Sequence, residues 1–155
     1  MKTACASLAL ILVALLPAVA GKKHCMLRIH AQANAQDTAA FSTAIPAKLS
    51  GKEVAIEKIP RISENDVIGF LPYSLGNGNY AVLFQLDEHG RLTLDALSVE
   101  RRGGFLFVFI NGRAFPELQI DKRVTDGQIY IRSGLTEADI KLMKKDWHVL
   151  KEKRR

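Results

Sequence analysis

The sequence predicts an α+β protein in which an antiparallel sheet carries its helices packed on one face. Three observations predict it. Stretches that alternate apolar and polar side chains stand on both sides of stretches with helical spacing. The later strands follow one another through turns too short for a parallel crossover, so they pair antiparallel. Each helical stretch has a single apolar stripe, and such a stripe must be buried against a sheet.

The first twenty residues stand apart from that pattern. Lys2 supplies a positive start, Leu8 to Leu16 is an unbroken apolar run, and Pro17 ends it. Ala18-Val19-Ala20 is a small-x-small cleavage sequence. Residues 1–20 therefore read as a secretory signal peptide, and residues 21–155 as a single soluble exported domain. A bilayer-spanning helix needs roughly 20 apolar residues, more than this run supplies. Lipid attachment at Cys25 is disfavoured by Lys22-Lys23-His24 in front of it.

Cys25 to Ala31 alternates, with Cys25, Leu27, Ile29 and Ala31 on the buried face of a strand and Met26, Arg28 and His30 on the other. Residues 32–51 are small and polar, broken by Pro46 and Gly51, and read as a long connection. Lys52 to Ile59 is a second strand. Ser63-Glu64-Asn65-Asp66 resembles a capping box before Val67, Ile68 and Phe70, which predicts a short helix ending near Pro72. Leu75 to Asn79 reads as a loose, exposed turn.

The C-terminal half reads β-α-β-β-β-α. Tyr80 to Leu86 alternates as a strand, and Asp87 to Gly90 turns the chain. Leu92, Ala96 and Val99 form a helical stripe widened by Leu94 and Leu97. Arg101-Arg102 suits that helix's C-terminus, and Gly103-Gly104 stops it. Phe105 to Ile110 is continuously apolar, as a strand covered on both faces is. Asn111-Gly112 predicts a two-residue hairpin turn, and the strand returns over Arg113 to Ile120 with Pro116 as a bulge or edge position. Asp126-Gly127 turns again before the alternating Gln128 to Ser133. Thr136-Glu137-Ala138-Asp139 caps a last helix with Ile140, Met143, Trp147 and Leu150 as its stripe.

Composition narrows the chemistry. The chain carries a formal net charge of +6, part of it in the tail Lys151-Glu152-Lys153-Arg154-Arg155. That tail reads first as a solvated helix end, since no aromatic residues interleave with it as a nucleic-acid stacking platform requires. Removal of Cys5 with the leader leaves Cys25 alone, so no internal disulfide forms. Catalytic motifs such as H-E-x-x-H, G-x-S-x-G and the phosphate loop do not occur in the sequence. His24 and His30 lie about 20 Å apart along a strand, too far for one ion. Asp95 and Glu100 point about 140° apart around a helix, so Arg91–Asp95 pairing explains them better than acid–base work. Cys25 reads as a small buried residue. No catalytic, cofactor-binding or metal-ligating residue is nominated, and no cofactor is expected.

A larger pattern covers residues 80–140. A strand ends in Phe84-Gln85-Leu86-Asp87-Glu88-His89-Gly90, and a helix ends in Arg101-Arg102-Gly103. An apolar strand enters Asn111-Gly112-Arg113, Ile120 to Val124 leads to Asp126-Gly127, Ile129 and Ile131 follow, and Gly134-Leu135-Thr136-Glu137-Ala138 opens the last helix. This stretch resembles the periplasmic head region of the bacterial preprotein translocase subunit SecD. The resemblance implies a small exported domain that contacts polypeptide, and it brings no catalytic residue. Proton-driven translocation belongs to the membrane part of that family and is not implied.

The expected function is that of a non-enzymatic exported domain, periplasmic or extracellular in a bacterium. It binds protein or peptide in envelope biogenesis or protein export, by strand addition at a sheet edge. Two alternatives stay open: a binder of anionic envelope polymers through the basic C-terminus, and an enzyme that uses Cys25 or a histidine. N-terminal sequencing of the exported protein is expected to begin at Gly21, and a product that retains Leu8 to Leu16 would contradict the leader.

Overall fold

The computed structural model describes residues 23–151, so the leader 1–20 and the tail residues 152–155 lie outside the described residues. The chain runs β1 (Leu27–Ala31), β2 (Ser42–Pro46), β3 (Glu53–Glu57), β4 (Ile62–Ser63), a 3-10 turn (Glu64–Asp66), β5 (Val67–Gly76) and β6 (Asn79–Leu86). It continues α1 (Glu88–Glu100), β7 (Phe105–Ile110), β8 (Arg113–Ala114), β9 (Leu118–Gln119), β10 (Gln128–Thr136), α2 (Glu137–Asp146) and β11 (His148–Val149).

The α+β class is as expected; the C-terminal half keeps the expected order except that the returning strand splits in two and a short β11 follows α2, and the strands divide among separate sheets. One has the order β4-β1-β7-β8, with β9 also on β7. A second has the order β10-β6-β5-β11, antiparallel except for β11 beside β5. The hairpin β2-β3 forms a third. The principal core takes side chains from both larger sheets and both helices, among them Leu27, Ile29, Phe70, Phe84, Leu97, Ile110 and Met143.

Local chemistry accounts for the strands that match expectation. Leu27, Ile29 and Ala31 of β1 are fully buried, as their alternation requires. β7 is central, with β1 on one side and β8 and β9 on the other. Its unbroken apolar run serves two cores. Leu106, Val108 and Ile110 face the principal one, and Phe107 packs with Ala47 and Ile56 under the β2-β3 hairpin. The returning strand splits into β8 and β9 around Pro116, which has no N–H to give a ladder.

Several expectations are corrected. Residues 32–51, expected as a connection, contain β2, which pairs with β3. Val67 to Pro72, expected as a helix, belongs to β5. A bulge between Val67 and Gly69 turns both Val67 and Phe70 inward, and that spacing of three imitates a helix. Asp87 to Gly90, expected as a turn, opens α1: the Gly90 N–H donates to Asp87 Oδ1 at 2.8 Å. α1 buries Gly90, Leu94 and Leu97, while Leu92 and Val99 lie 52% and 58% exposed. Gly90 sets that rotation, because a Cβ there would stand 2.9 Å from Asp66 Cβ and 3.0 Å from Leu86 Cβ. α2 stops at Asp146, and its expected stripe divides: Ile140 and Met143 are buried on the helix, Trp147 caps it, and Leu150 follows β11. The chain leaves the helix because β5 offers backbone partners, such as the Phe70 carbonyl that accepts the Leu150 N–H at 2.8 Å.

The two Asn-Gly turns are alike. Asn111 and Gly112 have φ of 51° and 77°, as the two-residue hairpin requires. Asn77 and Gly78 have φ of 51° and 71°, so the turn expected to be loose is an equally tight reversal between β5 and β6. A β-branched residue in this region costs about 1–2 kcal/mol. Gly112→Val and Gly78→Val are therefore each expected to lower the urea midpoint by a similar amount. A Gly78→Val variant as stable as the parent would contradict the second turn.

Candidate functional site

A long groove runs between β9 and β10. Two buried carboxylates fix its frame. Asp139 of α2 closes a capping box, accepting the Thr136 N–H at 2.8 Å and the Thr136 hydroxyl at 2.7 Å. The same carboxylate accepts Asn111 Nδ2 at 3.0 Å and the Arg113 guanidinium. It thereby ties the β7-β8 turn to the start of α2. Glu117, between β8 and β9, is buried and accepts the backbone N–H groups of Lys48 and, at 2.9 Å, Leu49. That contact holds the β2-β3 turn against one end of the groove.

The loop from β9 to β10 is pinned to α1. Arg123 donates to both oxygens of Asp95, at 2.5 and 2.8 Å. The buried Ser98 hydroxyl accepts the Val124 N–H at 2.9 Å and donates to the Asp95 carbonyl at 2.7 Å. Arg91, expected as the partner of Asp95, instead forks onto Glu88 at 2.7 and 2.9 Å. The reason is tertiary: the loop brings Arg123 to Asp95, and sequence spacing along α1 does not register it.

Both walls of the groove are open strand edges. The Gly127 carbonyl accepts the Leu86 N–H at 2.9 Å, and antiparallel bonding alternates from there. Ile129 and Ile131 therefore bond to β6, and the Tyr130 peptide groups turn to the groove. On the other wall Ile120 N–H donates to the Gly104 carbonyl at 2.9 Å, which by the same alternation turns the Gln119 peptide groups outward. Among the described residues, no strand pairs with β10 on this side. The groove has a volume of about 790 Å³, lined in part by Phe105, Leu118, Gln119, Tyr130 and Arg132. A mainly apolar recess of about 140 Å³ adjoins it, with Leu94, Leu106, Leu118 and Ile129 in its lining together with the charged Asp121 and Lys122.

The residues weighed for chemistry lie elsewhere. Cys25 is 1% exposed, and its thiol is pushed up to about 12, chiefly by burial, with the charges of Asp139, Asp146 and Glu64 adding to it. A thiol of that acidity supplies no thiolate nucleophile at neutral pH. His24 Nδ1 lies 2.9 Å from Asp146 Oδ1, and His30 Nδ1 donates to the Glu57 carbonyl at 2.7 Å. His89, beside Asp87, lies 2.7 Å from Asp66 Oδ1. Sequence reasoning missed the Asp66–Asp87–His89 cluster, whose three ligand-type atoms lie within 4.8 Å of one another. Asp66 already closes the Ser63 capping box and Asp87 caps α1, so this cluster joins the 3-10 turn to the helix.

No protein-family model and no curated protein matches the sequence. Solved structures share the fold. One is SecDF, described as a membrane component that enhances protein export, at a TM-score of 0.54 and 15% identity over 81% of this chain and 64% of that one. Another is SecDF in its super-membrane-facing form, at a TM-score of 0.55 and 13% identity over 80% of this chain and 19% of that one. The chain thus spans less than two thirds of either. The fold is SecDF-like over about four fifths of the chain, a wider stretch than the 80–140 resemblance. No helix among the described residues is long and apolar enough to cross a membrane.

Burial works to raise the Asp139 carboxyl, but the Thr136 N–H and hydroxyl, Asn111 and Arg113 outweigh it and hold it below its ordinary 3.8. Stability from such a group is complete above the unfolded value and is lost as pH falls through the lowered folded value. Asp139→Asn leaves donors of Thr136 and Arg113 unmatched and is expected to cost about 2 kcal/mol at neutral pH. Urea melts against pH are expected to show the gap between parent and variant narrowing below pH 3.8. A constant gap would contradict the role given to the carboxylate.

Proposed function

We propose that residues 21–155 form a single exported, non-enzymatic domain that binds extended polypeptide in protein export, after removal of residues 1–20 as a signal peptide. The observation that carries this reading is the open edge of β10. Its Tyr130 peptide groups face a groove of about 790 Å³ with no strand beyond them among the described residues. An unpaired edge is a template for another chain, and strand addition uses main-chain hydrogen bonds that any extended segment supplies. The SecDF-like fold supports the export setting, because SecDF enhances protein export. The buried, high-pKa thiol of Cys25 speaks against the enzymatic alternative.

The experiment uses a fluorescent ten-residue peptide that alternates Leu and Thr, titrated into the protein. Saturable binding is expected. N-methylation of the alternate amides that face β10 is expected to abolish it, because each methyl removes a donor from the shared ladder. A methylated peptide that binds as well as the parent peptide would overturn strand addition.

A further inference from the structure

Resting on the reading of the groove as a strand-addition site, we infer that the segment it selects is acidic and amphipathic, with apolar side chains toward the core and carboxylates toward solvent. A strand added to β10 shares its alternation, because opposed residues on paired strands point to the same face. Side chains level with Ile129 and Ile131, both buried, point between the two larger sheets. Side chains level with Tyr130 and Arg132, both exposed, point to solvent.

The inward direction leads to the recess among Leu94, Leu106, Leu118 and Ile129. Its volume of about 140 Å³ suits one Leu, Ile or Phe side chain; aliphatic cavities of about that size hold a benzene ring. The Ser98 hydroxyl in its lining is already engaged by Asp95 and Val124, and its charged lining residues, Asp121 and Lys122, are exposed to solvent, which leaves Leu94, Leu106, Leu118 and Ile129 to meet an entering side chain. An apolar anchor is the group the recess accepts.

The outward direction leads to cations. Lys122 and Arg132 line the groove, and Lys48 lines a depression that shares Pro116 and Ser133 with it. Among the described residues, none of these three has a carboxylate within ion-pair distance, whereas Arg113 and Arg123 are committed to Asp139 and Asp95. Against them stands the exposed Asp121, because Glu117 is buried under the Lys48 and Leu49 N–H groups. Single exposed pairs add little affinity, but a rim of one sign selects partners and speeds their approach.

Three labelled ten-residue peptides test this: Leu alternating with Glu, with Thr and with Lys, titrated into the full protein at low salt. The Glu peptide is expected to bind about tenfold tighter than the Lys peptide, and high salt should nearly erase the difference. The double variant Lys122→Glu, Arg132→Glu changes exposed residues only and should reverse the order. Exchange of Leu for Ala in the Glu peptide should remove measurable binding. Equal binding of the Glu and Lys peptides, an unreversed order in the double variant, or an Ala peptide that binds as well would each overturn the inference. Binding of the Thr peptide without charge discrimination would leave strand addition standing, whereas no binding by any of the three would overturn both.

Discussion

The Asp139 carboxylate is the contact on which the arrangement of the two larger sheets depends. It is 7% exposed, and it draws donors from three places: the start of α2, the turn after β7, and Arg113 of β8. Asn111 extends the connection, because its N–H donates to the Met26 carbonyl and its side-chain oxygen accepts the Met26 N–H, both at 3.0 Å. One carboxylate thus links the lead-in to β1, the central hairpin and the helix that follows β10. A buried charge needs several strong donors to offset the loss of water, and donors from separate elements make that offset depend on tertiary structure.

Glu117 and Asp66 repeat the device at other corners. Glu117 accepts N–H groups from the β2-β3 turn, and Asp66 joins the 3-10 turn to α1 through Ser63 and His89. Among the described residues Cys25 is a free thiol, so no covalent staple joins these turns, and the carboxylates supply the joints. Asp139 and Glu117 secure the β8-β9 wall of the groove, and Arg123–Asp95 with Val124–Ser98 secures the loop that leads to β10.

An open strand edge is a hazard as well as a surface. β10 limits it with a bulge between Ile131 and Leu135 and with the exposed cation of Arg132. β9 is short for the same reason that β8 is, since Pro116 interrupts the ladder. What remains is an edge centred on Tyr130, bordered by an apolar recess and a basic rim. These features restrict by size, polarity and charge which segment fits beside it.

The sequence by itself determined the elements whose signals are local. The alternation of Cys25 to Ala31, the Asn111-Gly112 turn, the Thr136–Asp139 capping box and the β-α-β-β-β-α order all follow from interactions within a few residues. Tertiary structure alone decided the rest. β5 imitates a helix because a bulge puts Val67 and Phe70 on one face, and a bulge exists only relative to the partner strand β6. The rotation of α1 follows from the close approach of Gly90 to Asp66, a contact across 24 positions of chain that no periodicity records. β11 forms because Phe70 and Gly69 lie open beside it, and Arg123 takes Asp95 because a loop carries it there. The groove belongs to the same class. Its two walls are strand edges left unpaired by the separation of the sheets, and an unpaired edge is a property of which strands meet, which local sequence does not encode.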